Sequence, residues 1–199
     1  MYATIKRTMD VVISLAALAV CLPFLPLVAI AIKLSSPGPV LHFQERIGKD
    51  GVRFRMLKLR SMTVGAESVR TSLAADADIT GPVFKMRNDP RVTRVGRFLR
   101  KYSIDELPQL ANVLAGQMSL VGPRPPLPEE VEHYEPWHMR RLSVKPGLTC
   151  IWQVSGRSHV SFDRWVEMDI EYIENRSIWL DIRLLLRTIP AVFSGRGAY

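Results

Sequence analysis

Two carboxylates stand side by side in this chain, Asp105 and Glu106, in the run Tyr102-Ser-Ile-Asp-Glu-Leu-Pro-Gln-Leu110, where a helix is predicted to begin. Carboxylates in a first helical turn feel the positive end of the helix dipole, an effect of about 0.3–1 kcal/mol that keeps them ionised. An ionised Asp in that place can act as a nucleophile on phosphorus or as a magnesium ligand. The same residues, Ser103-x-x-Glu106 followed by Pro108, also have the form of a capping box, which gives Glu106 a purely structural account.

A carboxylate that attacks a diphosphate meets like charge, so cations must stand close by. Arg100 lies upstream of Asp105, and Arg124 sits between Pro123 and Pro125, on a backbone stiffened by the prolines. Lys58 and Arg60 close a predicted strand, and Arg157 follows Gly156 in a predicted loop. Each of these alone reads as solvated surface charge; their grouping around turns and helix ends favours anion handling. The chain has no Gly-x-x-x-x-Gly-Lys-Ser/Thr loop, no kinase signature set, no Gly-x-Ser-x-Gly elbow and no His-Glu-x-x-His. Exchange of one phosphoanhydride for another is nearly balanced in energy and needs no nucleoside triphosphate, so these absences suit it.

The elements that position these groups begin with a long apolar run, Val11 to Ile32. Lys6 and Arg7 precede it, but the run exceeds the roughly 7–15 residues of a signal-peptide core. No small-x-small cleavage site precedes Lys33, so a retained membrane segment is expected. A bilayer core of about 30 Å takes roughly 20 apolar residues. Pro23 and Pro26 lack the N–H groups that would bond Ala19 and Leu22, which divides the run into two arms of about 15–18 Å. Lys6 and Arg7 on one side and Lys33 and Arg46 on the other weaken a crossing under the positive-inside rule. A re-entrant helix explains prolines and charges together; a kinked spanning helix also accommodates the prolines.

The 199 residues suit one compact domain plus that segment, and 47% hydrophobic content suffices for a core. A formal net charge of +8 fits an anionic partner such as lipid headgroups or nucleotides. Nothing resembling a helix-turn-helix, zinc finger or RNP pattern organises the charge, which argues against nucleic acid. Cys21 and Cys150 form no disulfide framework, and the scattered His42, His133, His138 and His159 form no ligand set.

Further along, Ser35-Ser-Pro-Gly-Pro39 ends the apolar segment, and Val40–Gln44 with Val52–Met56 reads as a hairpin. Helices are predicted over 62–78, ended by Gly81-Pro82, then 93–102 and 104–115. Met118–Val121 is a short apolar run. Helices follow at 127–134 and 137–142, an irregular stretch over 145–158, and helices at 161–174 and 178–193. The last places Arg183 and Arg187, with Arg176 just before, beside Trp179, Leu180, Ile182, Leu184 and Leu186, a pattern that suits either a lipid interface or a core.

With these stretches in order, the chain resembles the bacterial sugar transferases called monotopic phosphoglycosyl transferases. The resemblance runs from Lys6-Arg7-x-x-Asp10 to about Asp181, through Arg46-Ile-Gly-Lys-Asp-Gly-Val-Arg-Phe54, Lys58-Leu-Arg-Ser-Met62 and Asp89-Pro-Arg-Val-Thr-Arg-Val-Gly-Arg-Phe-Leu-Arg100. It continues through Ser103-Ile-Asp-Glu-Leu-Pro-Gln-Leu110, Met118-Ser-Leu-Val-Gly-Pro-Arg-Pro125, Lys145-Pro-Gly-Leu-Thr149 and Trp152-Gln-Val-Ser-Gly-Arg157. It implies an α+β, mostly helical, membrane-associated domain with a small β-hairpin and interfacial amphipathic helices. Residues 1–34 would form a re-entrant helix broken at Pro23 and Pro26, and residues 35–199 the cytoplasmic catalytic domain at a bacterial inner membrane.

The resemblance further implies that Asp105 attacks the sugar-linked phosphate of a UDP-sugar, releasing UMP, and that polyprenol phosphate then takes the sugar phosphate from it. Glu106 matches the second member of the dyad, and magnesium is expected near Asp105. Lys58, Arg100, Arg124 and Arg157 match cationic positions around the substrate, and Asp169 a later acidic one; Arg60, two residues after Lys58, is counted with them as a candidate substrate contact. A homo-oligomer is compatible with the family. Two departures stand out: Cys150 where members often have Gly, and Leu22 where Ser often precedes the membrane proline. Larger relatives carry extra N-terminal helices and a further domain, whereas a catalytic region alone is expected here. A membrane-bound nucleotide-sugar hydrolase and a non-enzymatic basic adaptor are the competing functions.

Overall fold

The computed structural model describes residues 1–66, 68, 83, 86, 88–155 and 161–195. Most of the helix expected over 62–78, the Gly81-Pro82 stop and Arg157 lie outside those residues. The part of that helix that is described is not helical: Met62 bridges to Val92, and a turn follows.

The apolar run forms α1 (Tyr2–Cys21) and α2 (Leu25–Ser35), joined by a 3-10 turn over Leu22–Phe24. Pro23 and Pro26 withhold two helical donors, so the ladder tightens: the Leu25 N–H bonds the Leu22 carbonyl while the backbone keeps right-handed helical angles. Tyr2–Ser35 is long and apolar enough to cross a membrane, with only 6% of its most apolar window buried. The arms are inside-out for a water-soluble helix. Asp10 and Ser14 are buried in α1, whereas Val12, Leu15, Val20, Leu22, Phe24 and Leu27 are exposed.

Both arms return to the same body. At the start of α1, Lys6 and Tyr2 donate to Asp181, and Arg7 donates to the carbonyls of Val113 and Leu114 at 2.6 and 2.7 Å. Asp10 accepts from the Ser119 hydroxyl at 2.8 Å and the Leu120 N–H at 3.1 Å. At the other end, Arg60 donates to the carbonyls of Ser36 and Pro37, both at 2.7 Å. Ile32 packs with Leu59 and Leu99 there.

The body holds two small sheets among its described residues. β1 (Leu41–Ile47) and β2 (Arg53–Leu59) form the expected antiparallel hairpin, longer at the end of each strand than the sequence suggested. β3 (Ser119–Val121) pairs in parallel with β4 (Gly147–Thr149), inside a segment expected to be irregular. The parallel pair forms because Gly122 and Gly147 let the two backbones approach; a Cβ on Gly147 would collide with Gly122. The helices are α3 (Arg94–Lys101), α4 (Gln109–Leu114), α5 (Pro128–Glu132), α6 (Ile151–Val154), α7 (Phe162–Asn175) and α8 (Ile178–Ser194). Residues 138–143, expected as an α-helix, form a 3-10 helix instead. The main core joins Phe54 and Met56 of β2, Leu110 and Val113 of α4, Leu120 and Val121 of β3, Tyr172 of α7 and Leu184 of α8.

Arg60 was expected to touch substrate, but its guanidinium closes the carbonyls at the end of α2, groups that helix geometry leaves without partners. Arg60→Ala is expected to lower unfolding free energy by about 2 kcal/mol, the scale of hydrogen bonds to a charged donor. Arg60→Lys, which keeps the charge and loses the planar fork, should recover only part. An unfolding midpoint unchanged in Arg60→Ala, measured by thermal denaturation in detergent, would refute this role.

Candidate active site

Asp105 and Glu106 lie in a 3-10 turn, Ile104–Glu106, wedged between α3 and α4. The single long helix predicted over 104–115 is therefore split, and Pro108 stands at its second start. The capping box does not form. Ser103 adopts a left-handed conformation (φ 54°, ψ 24°) and its side chain caps nothing. A non-glycine residue held there costs on the order of 1 kcal/mol, and the sharp reversal it makes turns Asp105 inward to 6% exposure.

Three elements bring cations to this turn. Lys58, on β2, donates to Glu106 Oε1 at 3.0 Å. Arg124, from the loop after β3, stands 3.6 Å from the same oxygen. Arg100, near the end of α3, acts on the Asp105 charge, and its Nη1 is buried with no hydrogen-bond partner among the described residues. Register between β2 and α4 is set by Asn112. Its carbonyl accepts the Leu57 N–H at 3.0 Å and its amide donates to the Arg55 carbonyl at 2.8 Å, so one side chain substitutes for a neighbouring strand.

Charge and burial oppose each other here. Burial pushes the Asp105 carboxyl up, Lys58 pulls it down, Glu106 adds to the rise, and Arg100 counters it. Burial likewise pushes the Lys58 ammonium down, with Glu106 as the main restoring charge. Three cations against two carboxylates leave this turn with spare positive charge, which suits a phosphate-bearing ligand. A divalent cation on Asp105 would fit only together with the negative charge that bound phosphates bring. Among the described residues no group of three or more ligating side chains forms a cage, and magnesium held by one or two carboxylates together with substrate phosphates needs none.

Of the residues singled out in the sequence, Asp105, Glu106, Lys58, Arg100 and Arg124 converge. Arg60 does not join them, being bound to the end of α2, and Arg157 lies outside the described residues. Asp169 is also elsewhere: fully buried on α7, it accepts from Arg141 Nε at 2.8 Å. Burial lifts its carboxyl to about 6 against the pull of Arg141. Sequence reasoning gave no role to Asn112 or Arg141, and took Arg7 and Asp10 only as flanking charge and as the opening stretch of the resemblance. Arg7, Asp10 and Ser14 recur at helical spacing in an otherwise apolar helix, a polar stripe that marks a face turned away from lipid.

The family model described as bacterial sugar transferase matches residues 1–195. The chain is 49% identical over 162 residues to the galactosyl transferase CpsE of Streptococcus agalactiae, covering 81% of this chain and 36% of that protein. It is 44% identical over 200 residues to the UDP-galactose-lipid carrier transferase of Erwinia amylovora, covering 98% of this chain and 42% of that one. It is 42% identical over 200 residues to the undecaprenyl-phosphate galactose phosphotransferase of Salmonella typhimurium, again covering 98% and 42%. The chain therefore spans about two fifths of the length of these relatives. A match over almost every residue, with the carboxylate pair and its cations gathered at one turn, places this chain in the bacterial sugar transferase family.

Proposed function

We propose that the chain transfers a sugar-1-phosphate from a UDP-sugar to polyprenol phosphate, through a covalent intermediate on Asp105. The observation that carries this reading is the turn at Asp105, where one buried carboxylate and its neighbour Glu106 face Lys58, Arg100 and Arg124. The relatives' names, a UDP-galactose-lipid carrier transferase and an undecaprenyl-phosphate galactose phosphotransferase, supply the substrate classes.

In the first half-reaction a carboxylate oxygen of Asp105 bonds to the phosphorus next to the sugar. The bond from that phosphorus to the bridging oxygen breaks, and UMP leaves with the electron pair. In the second, a phosphate oxygen of the polyprenol phosphate bonds to the same phosphorus and the Asp105–phosphorus bond breaks, giving a polyprenyl diphosphate sugar and the free carboxylate. Arg100, whose buried Nη1 has no hydrogen-bond partner among the described residues, and Arg124 hold phosphate oxygens and offset the charge that builds between two anions. Glu106 keeps Lys58 and Arg124 aimed at the reacting phosphate and orients the incoming lipid phosphate. Magnesium on Asp105 and the substrate phosphates would neutralise further charge there.

The same reading places the apolar arms in the membrane as a re-entrant hairpin and the body on the cytoplasmic face. What supports it is that both ends of Tyr2–Ser35 are bonded to one body, through Arg7 and Asp10 at one end and Arg60 at the other. A straight helix of that length would part its ends by about 50 Å.

Purified protein in lipid nanodiscs, given UDP-sugars with and without undecaprenyl phosphate, should form glycolipid and matching UMP only when the lipid is present. Full-rate UMP release without lipid, and no glycolipid with it, would establish a hydrolase instead. Asp105→Asn should lower turnover by about three orders of magnitude or more while leaving membrane partitioning intact. Undiminished glycolipid synthesis in that variant would remove Asp105 as nucleophile. Chelation with EDTA should stop turnover and added magnesium restore it; activity indifferent to chelation would argue against the metal. Cysteines introduced as Thr4→Cys and Lys49→Cys, in a Cys21→Ser background, should both react with an impermeant maleimide only after the cytoplasmic side is opened. Labelling of Thr4→Cys from the opposite side would overturn the hairpin.

A further inference from the structure

Arg124 is presented by a segment that can hardly hold itself. Pro123, Pro125 and Pro126 have no N–H, so three of the four residues from Pro123 to Pro126 cannot donate a hydrogen bond. Their carbonyls are nevertheless all engaged, each by a different donor. Pro123 accepts from the Gly147 N–H at 2.8 Å and Pro126 from the Ile47 N–H at 3.0 Å. Pro125 accepts from Arg46 Nη1 at 2.9 Å, and Arg124 from Arg141 Nη2 at 3.4 Å.

The two guanidiniums are buried, Arg46 at 6% exposure and Arg141 at 4%. Arg141 is itself fixed on every side. It donates to Asp169 through Nε and Nη2, at 2.8 and 2.7 Å, and through Nη1 to the Tyr134 hydroxyl at 2.7 Å. It also lies 5.7 and 5.9 Å from the centres of the Tyr134 and Phe162 rings. Desolvation offsets most of the attraction in a buried ion pair, so stability alone accounts poorly for an Arg141–Asp169 bridge. What the bridge does place is the Arg124 carbonyl.

We propose that Arg46 and Arg141, the latter oriented by Asp169, are positioning residues that clamp the carbonyls of the Pro123–Pro126 segment and so hold the Arg124 guanidinium against Glu106 and the diphosphate. The proposal rests on the reading above for the role of Arg124, and it gives Asp169 a task one residue removed from the chemistry. Lysine cannot replace Arg141, because an ammonium lacks the planar fork that reaches Asp169, Tyr134 and the Arg124 carbonyl together, and at Arg46 it would lose the paired contact to the Pro125 carbonyl and Gln44.

The test has two arms on the full chain in nanodiscs. In hydrogen–deuterium exchange, Arg141→Lys and the milder Arg46→Lys should each speed exchange roughly tenfold or more at the Gly147 and Ile47 amides, which donate to Pro123 and Pro126, leaving α1 and α4 at parent rates. Unchanged exchange there, or a rise spread evenly over the chain, overturns the clamp whether or not the protein is active. In the second arm, UMP release is measured in a double-mutant cycle with Arg124→Ala. Arg141→Lys should lower kcat/KM by roughly ten- to a hundredfold in the parent and less than about twofold once Arg124 is alanine. Multiplying losses in an active parent would reduce Arg141 to a general structural role and sink the proposal. A parent that makes no glycolipid would instead refute the transferase reading, with the exchange arm still deciding the clamp.

Discussion

Guanidinium groups bonded to backbone carbonyls hold this molecule together. Short helices and two-stranded sheets leave many carbonyls without partners, since the C-terminal end of every helix strands four of them. Arg7 closes the end of α4, Arg60 the end of α2, and Arg46 and Arg141 the proline-rich segment after β3. An arginine suits the task because its fork satisfies two or three acceptors at once and its charge complements the negative end of a helix. Without these bonds the hydrophobic core and Asn112 would still join β2 to α4, but the ends of α2 and α4 and the segment carrying Arg124 would lose their fixed seats.

The site depends on that framing because its own forces are in conflict. The buried Asp105 meets like charge from Glu106, and burial resists charge on Lys58 and Arg100; the arrangement is tolerable while Lys58, Arg100 and Arg124 stay close to the two carboxylates. Asn112 sets the spacing between β2 and α4, and the left-handed Ser103 turns the acidic pair inward. Rigidity around an electrostatically strained centre is what would let a phosphate, in the function proposed, find donors already aimed.

Much of this was legible in the sequence, for identifiable reasons. The hairpin announced itself through two apolar runs around Gly48 and Gly51, and the helix break through Pro23 and Pro26. Asp105, Glu106, Lys58, Arg100 and Arg124 could be singled out by residue type and by their nearness to turns. The capping box at Ser103 misled because local pattern was overridden by the need to bury Asp105. The β3–β4 pair was hidden because strands of three residues carry no periodicity, and their pairing joins positions far apart in the chain. The positive charge was legible only as a total. A balance of +8 suits anionic partners, while Arg7, Arg46, Arg60 and Arg141 within it are committed to carbonyls of the chain itself. Composition counts charges and is blind to which of them face inward.

The bonds from Asp10 to Ser119 and Leu120 carry a consequence for biosynthesis. The acceptor and its donors are 109 and 110 positions apart, so α1 leaves the ribosome long before the groups that satisfy it exist. At about 5–20 residues per second the delay is on the order of 5–20 s. Throughout that interval the carboxylate must stay hydrated, because hydrocarbon offers it nothing. An α1 laid against a bilayer in that interval would keep this carboxylate at the water interface, and its bonds to Ser119 and Leu120 form only when the rest of the polypeptide arrives.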